Sequence, residues 1–217
     1  MKRTLLLFSA SLLLSTSGAM ATVTLGFNDG VGTPNAGSYT PGQSFNFDIT
    51  LSVTSSAPNA MSDVQGLSYW FATSAVNAGF FSITNRNLSG SPFNTAITPG
   101  ITYPQAIMSE PGGAAHGGNP DDLGANSGSI LATNANYFVA TLTIQISPST
   151  PAGTYTIFTT SSGSNPSEAN DSSFTQFNFP VTTYTITVVP EPATWSLLGL
   201  GGLGSVGLSL LRARRRS

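Results

Sequence analysis

Phe45-Asn46-Phe47-Asp48-Ile49-Thr50-Leu51-Ser52-Val53 carries an apolar side chain at every odd position and a polar one at every even position. Successive side chains of an extended chain point to opposite faces, so the stretch predicts a half-buried antiparallel strand with one dry row and one wet row. The same alternation returns in residues 136–147, where Phe138, Ala140, Leu142, Ile144 and Ile146 oppose Val139, Thr141, Thr143 and Gln145. It returns again in residues 181–189, with Tyr184, Ile186 and Val188 against Thr183, Thr185 and Thr187.

Between these anchors the sequence reads as shorter strands separated by Gly, Ser, Asn and Pro. Residues 23–27 are ended by Asn28-Asp29-Gly30, a strong turn signal. Residues 66–73 and 79–84 are aromatic-rich strands, residues 154–160 place Tyr155 and Ile157 on one face, and residues 174–179 add another. Pro104 interrupts the apolar run 101–108 and demotes it to an edge strand or a loop. With about eight or nine strands and no amphipathic helix, the expected class is all-β and the expected architecture a β-sandwich. Residues 85–129 are weakly patterned, which makes them the expected place for a binding feature.

Composition narrows the chemistry. The chain has no cysteine, which excludes disulfides, thiol catalysis and thiolate metal sites. Residues 22–190 hold one arginine, Arg86, against eight carboxylates, a net charge of −7 with no lysine. A body so acidic has no basic stripe to displace counterions, so nucleic acid is not an expected partner.

Both ends read as targeting segments. Lys2 and Arg3 precede the apolar stretch 5–14, and Ala19-Met20-Ala21 offers a signal peptidase its small residues at Ala19 and Ala21, giving a signal peptide over 1–21. At the other end Pro190-Glu191-Pro192 precedes an apolar run, 193–211, and then Arg212, Arg214, Arg215 and Arg216 within the tail 212–217. Nineteen residues rise roughly 28 Å as a helix, just enough for a single transmembrane crossing. The arginines are a cytoplasmic stop signal, so residues 22–189 would face outward as the exported domain.

The order of triplet, Gly/Leu-rich span and arginine cluster in VPEPATWSLLGLGGLGSVGLSLLRARRRS resembles the PEP-CTERM sorting signal, here over 190–217. The resemblance implies recognition by a membrane-embedded exosortase, cleavage near Pro190, Glu191 and Pro192, and transfer of the body to the outer envelope or the extracellular matrix. A plain single-pass anchor is the alternative. Within the body, Pro41-Gly42-Gln43, the run 64–70, Ala140-Thr141-Leu142-Thr143-Ile144 and the run 152–157 resemble pieces of cohesin-like or immunoglobulin-like sandwiches of bacterial surface proteins.

Catalytic patterns are poor. His116, the one histidine, lies in a Gly/Ala loop; no G-x-S-x-G occurs; and no lysine is available to the body for Ser-Lys chemistry. Asp121 and Asp122 are adjacent in a Gly/Asn loop with oxygen ligands but without EF-hand spacing, so a solvated acidic loop is the default over calcium or paired-acid catalysis. Tyr69 and Trp70 are neighbours on a strand, so one ring points inward and the other outward, where it could stack on a sugar. The expectation is a noncatalytic structural or adhesive protein without cofactor or metal. Its partners would be exosortase, signal peptidase and, after release, exopolysaccharide; a carbohydrate-binding module and a secreted hydrolase are the rivals.

Overall fold

The computed structural model describes residues 22–30, 35–54, 61–109, 121–160 and 165–190. Among them the chain forms fourteen strands and one 3-10 turn, Ala75–Asn77. The first sheet orders β1 (Thr22–Asn28), β3 (Ser44–Thr54), β10 (Ala135–Ile146), β6 (Phe81–Asn87) and β8 (Gln105–Ala106). The second orders β2 (Ala36–Tyr39), β14 (Thr183–Val188), β11 (Gly153–Thr159) and β5 (Phe71–Thr73). The third orders β13 (Gln176–Asn178), β12 (Glu168–Asn170), β4 (Val64–Ser68), β9 (Ala125–Leu131) and β7 (Thr95–Ala96). The architecture is the all-β sandwich that the alternating runs predict.

The strand β3 behaves as its sequence dictates. Phe45, Phe47, Ile49, Leu51 and Val53 are all buried, and β1 and β10 flank it antiparallel along most of its length. Its inner row meets the aromatics of the second sheet. Phe47 lies 5.2 Å from Tyr184 and 5.8 Å from Phe71, Phe27 lies 5.4 Å from Phe71, and Phe45 stacks on Tyr39 at 3.8 Å between ring centres. Removing such rings from water contributes roughly 1.5–3 kcal/mol each, with a further increment from tilted and edge-on ring geometry. At the same end the Tyr39 and Tyr184 hydroxyls both donate to Asp29 Oδ2, at 2.5 and 2.9 Å. The first turn is thereby pinned to the final strand.

Four sequence expectations need correction in detail. Fourteen strands replace eight or nine because β2, β7, β9 and β12 are short or rich in Gly, Ser and Asn, and because the run 66–73 divides. Its break falls at Tyr69 and Trp70. There the Tyr69 N–H donates to Asp122 Oδ1 and the Tyr69 carbonyl accepts from Leu123 N–H, so the chain leaves the third sheet as β4 and enters the second as β5. In β10 a bulge lies between Phe138 and Ala140: Phe138 faces Thr50, Ala140 faces Ile49, and Val139 is the inserted residue. Val139 is therefore buried and Phe138 half-exposed, the reverse of strict alternation. Finally, Phe174 is a turn residue, and β13 begins only at Gln176. The proline-demoted run 101–108 holds β8, on the edge of its sheet as Pro104 requires.

Because Phe47 joins both layers, Phe47→Ala should lower unfolding free energy by about 3–5 kcal/mol in urea titration. A loss below about 1 kcal/mol would mean that the seam between layers is not a major contributor.

Candidate functional site

Cross-strand register in the third sheet separates its two faces. Ala125, Leu67 and Ala169 stand opposite one another and are buried, which defines the inner face. The next row, Asn126, Gly66 and Asn170, and the pair Ser68 and Glu168 must then lie on the outer face. With Gln176 and Phe174 they line a cleft of about 210 Å³. Gly66 is its floor. A Cβ there would stand 2.2 Å from Asn126 Oδ1 and 2.8 Å from Asn170 Oδ1, so the missing side chain is what lets two amide oxygens converge. The Glu168 carboxylate accepts from Gln176 Nε2 at 2.6 Å. Burial, then the nearby Asp122 charge, raises the Glu168 carboxyl above its ordinary value.

Phe174 stands at the rim, 77% exposed, with φ +62°. A bulky non-glycine residue in the left-handed region is an outlier that its surroundings must hold in place. Asp171 does so from within the turn: its Oδ1 accepts from the Ser173 and Thr175 N–H groups at 2.9 Å each, and its carbonyl accepts from Phe174 N–H. Asp63 grips the same turn from outside, accepting from Ser172 N–H and Oγ at 2.7 Å each. Those bonds hold the Asp63 carboxyl below its usual value.

Asp121 and Asp122 form a clip. Asp121 exchanges two bonds with Gln105, giving its N–H to Oε1 at 3.0 Å and accepting from Nε2 at 3.1 Å. Asp122 Oδ1 accepts from Tyr69 N–H at 3.1 Å and Gly124 N–H at 2.8 Å. Arg86 is equally committed, donating to the carbonyls of Thr98, Gly124 and Asp122. These groups fasten loop 121–124 to β8, to the end of β4 and to β6.

Tyr69 is fully buried, with its ring edge-on to Phe71 at 5.9 Å. It is a core residue, and as placed its ring has no face for a sugar. Trp70 is half-buried and does not line the cleft. The two residues fall in the break between β4 and β5 and not on a strand, and the exposed aromatic beside the polar groups is Phe174. His116, Glu191, Pro192, the signal peptidase residues and the arginine cluster lie outside the described residues, as does the predicted crossing at 193–211. Among the described residues no helix is long and apolar enough to cross a membrane.

Strand β14 ends at Val188, and Val189 N–H still donates to the Tyr39 carbonyl at 2.8 Å; Pro190 is exposed. Residues 188–216 match the model of the PEP-CTERM protein-sorting motif. The chain carries a PEP-CTERM sorting signal. Such a signal makes it a substrate for export and membrane-anchored sorting by an exosortase. No curated protein matches the chain. Among solved structures it is similar to a chain of the Coh-OlpA-Doc918 type I cohesin–dockerin complex from Clostridium thermocellum, at 8% identity and TM-score 0.47 over 77% of this chain and 99% of that one. It is also similar to CaCohA2 from Clostridium acetobutylicum, at 14% identity and TM-score 0.47 over 77% and 91%. A cohesin module from a Clostridium perfringens family 33 glycoside hydrolase gives 11% identity and TM-score 0.44 over 79% and 98%.

Burial raises the Asp122 carboxyl above its ordinary 3.8, against opposing bonds from Gly124, Ser68 and Tyr69 and the Arg86 charge. A raised acid keeps its proton longer folded than unfolded, so its contribution to stability falls as pH climbs through the interval above 3.8. Asp122→Asn retains an acceptor oxygen for both N–H groups and removes the titration. As the pH rises from 3.8, its urea midpoint should fall less steeply than that of the parent; equal slopes would contradict the assignment. Tyr69→Phe deletes a buried hydroxyl with no hydrogen-bond partner among the described residues. Thermal unfolding should show it neutral or stabilised by about 1 kcal/mol, and a loss above that would reveal a partner for the hydroxyl.

Proposed function

We propose that residues 22–189 are a noncatalytic structural or adhesive module, cut free near Pro190, Glu191 and Pro192 and deployed in the outer envelope or extracellular matrix in association with exopolysaccharide. The observation that carries this reading is the junction between fold and signal. The final ladder closes at Val188 and Val189, so a cut at the triplet leaves every ladder of the described residues intact. The order of domains follows: signal peptide 1–21, exported body 22–189, sorting signal 190–217, with 193–211 as the temporary membrane helix and 212–217 as its basic cytoplasmic tail.

A noncatalytic role is supported by how the acids are used. Each of the seven carboxylates in the described body accepts at least one internal hydrogen bond: Asp29 from tyrosines, Asp48 from Thr141, Asp63 from Ser172, Asp121 from Gln105, Asp122 and Asp171 from backbone, and Glu168 from Gln176. The acidic, lysine-free body suits a matrix of hydrated polymer, where like charge keeps copies apart.

In a host with exosortase, replacing Pro190, Glu191 and Pro192 together by alanine should hold the protein in the inner-membrane fraction and empty the matrix fraction. Unchanged delivery would sink the sorting reading. Parent protein recovered from the medium with none in the matrix would sink the exopolysaccharide association alone.

A further inference from the structure

We propose that the cleft on the outer face of the third sheet binds a neutral, hydroxyl-rich saccharide, with the Phe174 ring as the stacking surface. The proposal rests on the exopolysaccharide reading above for its biological setting, but on separate observations for its chemistry.

The first observation is the cost of putting Phe174 where it is. An exposed phenylalanine in a left-handed conformation loses backbone energy and gains no burial, and glycine or asparagine would fit the position with less strain. Yet the turn is fastened by two aspartates, one on each side, so the backbone that carries the ring is held at the cleft's rim before any ligand arrives. Strain of this kind at an exposed rim, fixed from both sides, is a mark of a contact surface.

The second observation is the polar set beside the ring. Asn126, Asn170 and Gln176 each carry donors and an acceptor on one planar group; one Asn170 N–H is given to the Asp171 carbonyl, one Gln176 N–H to Glu168 and the Ser68 hydroxyl to Asp122, which leaves the remaining amide N–H groups and the oxygen lone pairs to face a ligand. Paired donors and acceptors match vicinal hydroxyls of a sugar ring, whose apolar C–H face suits an aromatic ring. All of them sit on strands of one sheet, and the space over Gly66 is taken by the Asn126 and Asn170 amide oxygens, which brings those two side chains together. Other ligand classes fit less well. An anion would face Glu168 with no cation in the cleft, and a metal ion would find that single carboxylate already bonded to Gln176. A wholly apolar ligand would find one apolar side chain, Phe174.

The test uses the full chain in mild detergent, run in native gels containing dextran, galactomannan or xyloglucan, with alginate as the anionic control. At least one neutral polymer should retard the parent protein more than alginate does. Phe174→Gly and Phe174→Asn remove the ring at a backbone conformation both residues tolerate, so both should melt no lower than the parent while losing roughly tenfold in affinity. Phe174→Trp should retain binding. Retardation by alginate alone, by no neutral polymer, or equally in the parent and the ringless variants overturns the site. In cells the two readings separate. Matrix retention that is the same for the parent and Phe174→Gly overturns the site and leaves the matrix role. A parent protein that binds a neutral polymer in gels but is absent from the matrix does the reverse.

Discussion

The structure depends on the burial of one alternating row. Phe45, Phe47, Ile49, Leu51 and Val53 project from β3 into the space between sheets, and the rings of Tyr39, Phe71 and Tyr184 come down from the second sheet to meet them. A register slip of a single residue would turn Asn46, Asp48, Thr50 and Ser52 inward, where no partners await them. That penalty is what makes the pairing of β3 with β1 and β10 specific. Without disulfides, the stability of the exported body rests on this seam and on the hydrogen-bonded ladders around it.

The third sheet is built differently, and the difference bears on function. Its inner row sets Ala125 and Ala169 around Leu67, with Phe177 beside Ala169 at the edge, and its outer row is polar around Gly66. Hydrogen bonds accepted by acids fasten it: Asp122 ties the end of β4 to loop 121–124, Asp63 and Asp171 hold the turn before β13, and Glu168 accepts from Gln176 across the strand pair. The carboxylates that give the body its negative charge are therefore structural fasteners as well as surface charge. A cleft with polar walls and an aromatic rim on a fastened turn follows from that construction.

The sequence made the long, regular elements legible because period-two burial leaves a direct imprint on residue type. Strands β3 and β14, and most of β10, could be read residue by residue, and Pro104 marked an edge correctly. What alternation cannot show is where it fails. The bulge at Val139 replaces one apolar residue with another, and the break at Tyr69 and Trp70 depends on Asp122, which is remote in sequence. Strands β9 and β12 consist of residues that usually mark loops and are strands only because β4 lies between them. The cleft was missed for the same reason. Its residues are scattered from Ser68 to Gln176, and phenylalanine is a poor advertisement for a left-handed turn. Asp171-Ser172-Ser173 was the only local hint, since aspartate so often opens a turn by accepting bonds from the residues that follow.

The sorting signal, in contrast, is linear information and was readable in full, from the triplet to the arginines. Its meaning for the molecule lies in the abruptness of the junction: the last ladder bond and the first proline are adjacent residues. The last strand of the sandwich thus runs directly into the sorting motif. The intact mass of the protein recovered outside the cell tests this most directly. The account predicts a species lacking both residues 1–21 and the arginine-bearing tail, with its new C-terminus near residue 190; an extracellular species that still contains residues 193–217 would contradict it.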